Sequence, residues 1–321
     1  MSIINSNKTT YKFIKYHISI GILFIYMVLL SSCQQSVPMV NPNLDIQGHR
    51  GCRGLMPENT IPAFIKALDI GVTTIEMDVV ITGDGEVLVS HEPFFNHEIS
   101  THPNGKSVTS SEEQSLNIYH LTVEEVQAYD VGTKPHSKFA QQSKFKVHKP
   151  LLKEVVDSVE HYTALHNLPM VHYNIEIKYT NETAGKYHPE AREFATMLND
   201  VIIQKGITAR CTVQSFAPIC LDEMATVNPE LKLVLLIENR EDLEANLAMI
   251  HTKIYAYSPY YKLVDKGLVD KCHAKGIKII PWTINNEEDI KYYIGLNIDG
   301  IISDYPDKVL EIYQNMRNDG Q

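Results

Sequence analysis

From Asp45 onward, short β-rich runs alternate eight times with stretches of helical apolar spacing. The runs cover 45–51, 73–81, 171–179, 209–216, 232–238, 254–260, 278–285 and 299–304. Between them lie helical segments such as Ile61 to Leu68, Leu151 to Leu165, Glu190 to Ile203, Leu243 to Ile250 and Leu263 to His273. A strand that is followed by a helix before the next strand pairs in parallel, and eight such units predict an α/β fold of the (β/α)8 TIM-barrel type. An open doubly wound sheet shares this alternation, but no G-x-G-x-x-G turn follows the first run. The length of 321 residues and the 44% apolar content suit one barrel of ~250 residues.

Local signals sharpen the boundaries. Thr60 is placed to N-cap a helix with Pro62 in its first turn, and Gly71 falls where a C-terminal glycine belongs. On that reading Asn59 and Thr60 have a structural role. The turn Gly83-Asp84-Gly85 predicts a hairpin between the second strand and the run Glu86 to Ser90. Residues 94–150 are too long for a bare loop and are rich in His, Ser, Lys and Asn. They are expected to be an insertion after the second strand unit, packed over one end of the barrel, with a short helix from Thr122 to Tyr129.

The N-terminus has the pattern of an address. Lys8, Lys12 and Lys15 precede an uncharged run from Ile18 to Leu30, shorter than the ~20 residues that span a bilayer and suited to a signal-peptide core. Leu30-Ser31-Ser32-Cys33 looks like a bacterial lipobox, which predicts removal of 1–32, lipidation of Cys33 and a tether over 33–44. An ordinary signal with an incidental cysteine is the alternative. The barrel is then expected over 45–315, with 316–321 as a tail. The formal charge of −10 becomes −13 once the three lysines of the first 32 residues are removed, and a body that acidic repels nucleic acid. Without an acidic residue directly after Cys33, a periplasm-facing anchor in the cell envelope is expected. Cys52, Cys211, Cys220 and Cys272 have no paired zinc-type spacing and read as small buried apolar groups, with a disulfide permitted in an oxidising compartment.

Within Thr73 to Val80 the side chains alternate, so Glu76 and Asp78 face one way and Ile75, Met77 and Val79 the other. Two carboxylates projecting together repel unless something positive lies between them, and a hard divalent cation, Mg²⁺ or Ca²⁺, resolves that. A solvated pair at a strand end is the plainer alternative. The geometry recurs at Glu176 and Lys178, where a third carboxylate and a phosphate-directed lysine, or an internal ion pair, are both consistent. His49 and Arg50 end the first strand between Gly48 and Gly51. His91 ends the hairpin run. Two histidines at strand ends suit one general acid and one general base, and Arg50 offers paired donors to phosphate oxygens.

The ordered series His49-Arg50-Gly51, Pro57-Glu58-Asn59-Thr60, Glu76-x-Asp78, His91, Asn174 to Lys178, Gln214-Ser215-Phe216, Trp282 to Asn285 and Ser303-Asp304-Tyr305-Pro306 resembles the glycerophosphodiester phosphodiesterase family from about residue 45 to 315. The resemblance implies catalytic histidines at His49 and His91, metal carboxylates at Glu76, Asp78 and Glu176, phosphate contacts at Arg50 and Lys178, and pocket-lining aromatics at Phe216 and Trp282. One departure is Glu92, where the family usually has Asp after the second histidine.

The expected activity is metal-dependent hydrolysis of glycerophosphodiesters to glycerol 3-phosphate and an alcohol. Its partners would be a small-molecule substrate and, through the lipid anchor, a membrane. Phospholipase-type cleavage of an intact phospholipid is the alternative enzyme, although no obvious amphipathic segment is present to lift a lipid out of a bilayer. A non-catalytic phosphoglycerol-binding lipoprotein is the alternative from another class. Proton abstraction beside a metal-held enolate fits the clustered early motifs poorly.

Overall fold

The structure, a computed structural model, describes residues 40–319. The expected signal segment 1–32, Cys33 and the first part of the expected tether lie outside the described residues. The strands are β1 (Asp45–Gly48), β2 (Thr74–Ile81), β3 (Val87–Val89), β4 (His172–Ile177), β5 (Cys211–Ser215), β6 (Lys232–Ile237), β7 (Ala256–Pro259), β8 (Lys278–Ile279) and β9 (Gly300–Ser303). The helices are α1 (Ile61–Ile70), α2 (Val123–Gln127), α3 (Leu152–Leu165), α4 (Ala191–Gln204), α5 (Pro218–Val227), α6 (Leu243–Leu247), α7 (Lys266–Ala274), α8 (Glu287–Gly295) and α9 (Pro306–Asp319).

Parallel pairing runs from β8 through β7, β6, β5, β4, β2 and β1 to β9, and β3 folds back antiparallel onto β2 as the glycine turn predicts. The ends of this order meet. Asp299 N donates to Ile279 O at 3.0 Å, Ile302 N to Pro281 O at 3.1 Å and Ile284 N to Ile302 O at 3.0 Å. These bonds across the seam give the (β/α)8 barrel that the alternation predicts.

Alternation along each strand sets what lies inside. In β2 the outward residues Ile75, Met77 and Val79 join one apolar layer with Phe64 and Ala67 of α1, Val155 and Val159 of α3, and Phe194 and Leu198 of α4. The inward residues Glu76 and Asp78 are 2% and 1% exposed, so they are interior carboxylates and not a solvated pair. Val234, Ala256, Ile280 and Ile302 fill part of the barrel interior. Gln47, Asn174 and Gln214 supply a polar layer beside them, with Asn174 Nδ2 donating to Gln47 Oε1 at 2.8 Å and to Gln214 Oε1 at 2.9 Å.

The cap on α1 is as expected: Thr60 Oγ1 accepts from Ala63 N, and Gly71 takes φ 93°. The final helix runs through Asp319, so residues 316–319 of the expected tail are helical. Segment 94–150 contains two single 3₁₀ turns and α2, and holds together on its own cluster of Phe95, Ile99, Val108, Ile118 and Val126 against Val80 and Leu88 of the hairpin. It is tied to the loop after β1, where Ser143 N donates to Leu55 O and Gln142 Nε2 to Arg53 O, each at 2.8 Å. The insertion thus buttresses the loop bearing His49 and Arg50. All four described cysteines are free and buried.

Candidate active site

The loop between β1 and α1 is shaped by two residues that must lack a side chain. A Cβ on Gly48 would lie 2.0 Å from Gly51 O, and one on Gly51, at φ 88°, would lie 2.7 Å from the Ala63 carbonyl carbon. These glycines answer to packing against each other and α1. The tight turn directs His49 and Arg50 across the carboxyl ends of the strands.

His49 Nδ1 lies 2.6 Å from Asp304 Oδ1. Burial pushes the Asp304 carboxyl up, but the imidazole of His49 and the Asn285 amide outweigh it and hold the group at about 2, so Nδ1 carries the shared proton. Asn285 secures Asp304 from both sides, donating from Nδ2 to Oδ2 at 2.7 Å and accepting from the Asp304 N–H at 2.9 Å. His91 repeats the arrangement: Nδ1 lies 2.7 Å from Glu92 Oε1. Burial raises the Glu92 carboxyl, and His91 with Arg50 and Lys149 bring it well below the usual carboxylate range. Each ring therefore has Nδ1 committed to a carboxylate. Burial lowers both imidazoles from their ordinary value; the nearby cations Arg50 and Arg53 lower His49 further, as Arg50 and Lys178 do His91, while the carboxylates act the other way.

Glu76, Asp78 and Glu176 meet inside the ring. Each offers an oxygen within 4.8 Å of the others, and all three are buried. The register that sets Asp78 beside Glu176 brings adjacent strands' carboxylates together. Burial, Asp78 and Glu176 push the Glu76 carboxyl well above its ordinary value, and burial with Asp78 pushes Glu176 up to about 7 despite Lys178. Asp78 goes the other way: burial raises it, but His91, Arg50, Lys178 and the Asn59 amide hold it down.

A hard divalent cation fits this donor set. The ligands are all oxygen, they converge, and two carry the protonation penalty that such an ion would relieve. Surrounding residues hold the carboxylates in place. Gln214 Nε2 donates to Glu76 Oε1 at 2.9 Å, Arg50 N to Glu76 Oε2 at 2.8 Å, and Asn59 Nδ2 to Asp78 Oδ2 at 2.8 Å. Asn59 thus positions a carboxylate as well as preceding the helix cap.

The cations close the site. Arg50 pairs with Glu58 Oε1 at 2.6 Å and lies 3.4 Å from Asp78 Oδ2, while its Nε is buried without a hydrogen-bond acceptor. Arg53 pairs with the same Glu58. Lys178 Nζ is 2.7 Å from Glu176 Oε1 and 6.0 Å from the Phe216 ring centre, so the ion pair and the carboxylate cluster coexist. Trp282 anchors its Nε1–H on Ser258 O at 2.9 Å and meets Phe216 edge to face at 5.5 Å.

One cavity of about 570 Å³ at the carboxyl ends of the strands is lined by His49, Arg50, Glu76, Asp78, His91, Glu176, Lys178, Phe216 and Trp282, together with Arg53 and Gln214. Every described residue singled out for this chemistry is in it. Cys33 lies outside the described residues. The partnerships of Glu58, Asn285 and Asp304 had only one sequence signal, their presence in the quoted motifs.

Residues 49–308 match the glycerophosphoryl diester phosphodiesterase family. A glycerophosphodiester phosphodiesterase of Caldanaerobacter subterraneus is 29% identical over 264 residues, covering 82% of this chain and 95% of that one. Another from Bacillus altitudinis is 30% identical over 273 residues, covering 85% and 99%. The crystal structure of a Silicibacter pomeroyi protein assigned as a glycerophosphoryl diester phosphodiesterase superposes with a TM-score of 0.78 at 26% identity, covering 88% of this chain and 97% of that one. With the family match running from His49 into the last helix, this chain belongs to the glycerophosphoryl diester phosphodiesterase family and is a phosphoric diester hydrolase.

Proposed function

We propose that the chain hydrolyses glycerophosphodiesters to glycerol 3-phosphate and an alcohol, with His49 and His91 as its general acid and base and one divalent cation, Mg²⁺ or Ca²⁺, as cofactor. The observation that carries this reading is the pair of imidazoles, each tied through Nδ1 to its own carboxylate, lining one cavity with the carboxylate triad.

Arg50 and Lys178 would bind the phosphodiester oxygens and keep the substrate anion beside the three carboxylates. Bound to Glu76, Asp78 and Glu176, the cation supplies Lewis-acid stabilisation of charge on the phosphoryl oxygens. One imidazole takes a proton at Nε2 from the attacking oxygen, whether that is water or the neighbouring glycerol hydroxyl, and the other gives a proton at Nε2 to the departing alcohol. Asp304 and Glu92 fix the rings in that tautomer and stabilise whichever becomes imidazolium. Phe216 and Trp282 form an apolar wall along the substrate.

We further propose the anchored form: a signal over 1–32, lipid on Cys33, a tether to 44 and a periplasm-facing barrel. Its support is the lipobox pattern and the short apolar run in the sequence.

The test is release of glycerol 3-phosphate from glycerophosphocholine and glycerophosphoethanolamine, before and after EDTA and after adding back Mg²⁺ or Ca²⁺. Release that EDTA stops and a metal restores is the expected result. No release with either metal would overturn the assignment.

A further inference from the structure

A second cavity, of about 450 Å³, lies at the opposite end of the barrel, where the strands begin. Its wall holds Arg210, Lys232, Lys278 and Arg317 against only two acids, Asp45 and Asp299. In a chain of formal charge −10 this is a local reversal of sign.

The acids there are already committed. Asp45 accepts from Thr73 Oγ1 at 2.6 Å, Thr74 Oγ1 at 2.7 Å and Gln47 Nε2 at 2.7 Å. Asp299 Oδ2 accepts from His273 Nε2 at 2.8 Å and Ile279 N at 2.9 Å. Of the cations, Arg210 is held by Glu160, whereas Lys232, Lys278 and Arg317 close no ion pair among the described residues. The ammonium groups of Lys232 and Lys278 both approach the Tyr255 ring, at 5.0 and 5.1 Å from its centre. Lys278 also feels Asp299 and Asp45, yet with Lys232, Arg210 and Arg317 the wall keeps an excess of positive charge, which favours an anion in the cavity.

The path of the chain says which anion. Pro42, Asn43 and Leu44 line the same cavity, and Asn41 is pinned beside it, donating to Ile298 O at 3.1 Å and accepting from Tyr313 Oη at 2.9 Å. Six residues separate Cys33 from Val40, a reach of at most about 25 Å. We propose that this basal cavity binds the phosphate of an anionic phospholipid headgroup, holding the starting end of the barrel on the membrane and the catalytic mouth away from it. The orientation rests on the proposed lipid anchor; the binding site does not. A mouth turned from the bilayer suits soluble diesters and disfavours intact phospholipids as substrates.

The chain beginning at Gln34, which retains every described element, serves as the test protein. It is sedimented with vesicles of phosphatidylcholine alone or of phosphatidylcholine with phosphatidylglycerol. Binding only to the anionic vesicles is expected. The triple variant Lys232→Gln, Lys278→Gln, Arg317→Gln should bind on the order of 100-fold more weakly, about fivefold for each basic group near the surface. A control with the same loss of charge from exposed lysines elsewhere, Lys106→Gln, Lys138→Gln, Lys253→Gln, should keep its binding.

Equal loss in both triples would reduce the effect to net charge and overturn the site. Absence of anionic-vesicle binding by the parent would also overturn it. Calorimetric binding of inorganic phosphate, lost in the basal triple and without vesicle binding, would reassign the cavity to a free anion and reject the lipid. Turnover of soluble glycerophosphocholine by the same preparations should be unchanged in the basal triple; its absence from the parent protein counts against the proposed function alone.

Discussion

His91 Nδ1 lies 2.7 Å from Glu92 Oε1, so the longer acid that replaces the expected aspartate still reaches back to the ring of its own neighbour. The contact matches that of His49 with Asp304 in kind and length. His91→Ala should cost at least ~100-fold in kcat, the lower end for losing a general acid or base. Glu92→Ala should cost less, because the imidazole remains but is free to turn. Steady-state kinetics on glycerophosphocholine tests the ranking, and wild-type turnover in Glu92→Ala would remove the orienting role.

Both imidazoles are held below their ordinary value by burial, His49 and His91 alike. The sign for stability follows: the unfolded chain takes up these protons first as pH falls below about 6.5, so the contribution of each ring is complete above that value and is lost as pH drops through its folded value. Urea midpoints compared between wild type and the double variant His49→Gln, His91→Gln should converge with wild type losing more on acidification. A parallel pH dependence of the two proteins would contradict the assignment.

Glu176 presents the opposite sign. Burial and Asp78 raise it to about 7 when no cation is bound, so the metal-free chain loses this group's stabilisation as pH rises from about 4.5 through 7. A cation that binds only the folded state adds about 2.7 kcal/mol at a hundred times its Kd. Thermal melts at pH 8 should therefore show a marked rise in Tm with Mg²⁺ or Ca²⁺. Glu176→Gln should raise the metal-free Tm and shrink the metal-induced rise. A full metal response in that variant would move the ion elsewhere.

Much of the arrangement was legible in the sequence because it follows from period. Alternation alone puts Glu76 and Asp78 on one face, and a glycine turn alone folds β3 back on β2. What period does not carry is closure over long sequence distance. Asp304 reaches His49 only because β9 pairs with β1, and Glu58 gathers Arg50 and Arg53 only because the loop after β1 folds tightly. The basal cations stand at the starts of strands or on a helix far apart in sequence, so no window shows them as a patch. The insertion has almost no regular structure, and its core of Phe95, Ile99 and Val126 offers no periodic signal to read.

Lys149, at the end of that insertion, is the group whose role the fold alone exposes. It is 4% exposed, with its ammonium 2.8 Å from Ser90 Oγ and 5.9 Å from the centre of the Phe95 ring. Burial lowers it; Glu92, Glu58 and Asp78 pull it back up, and Arg50 opposes them. Glu92 Oε2 is meanwhile buried without a hydrogen-bond partner, and Lys149 adds to His91 and Arg50 in favouring the anionic form of Glu92. Removing one member of a buried set of opposite charges leaves the others uncompensated, so Lys149→Met should lower Tm. Removing the positive charge should also ease protonation of His91 and move the acid limb of the kcat/KM profile to higher pH. A melt and a pH–rate profile on one preparation separate the two effects. An unchanged profile with a falling Tm would make Lys149 a packing residue and nothing more.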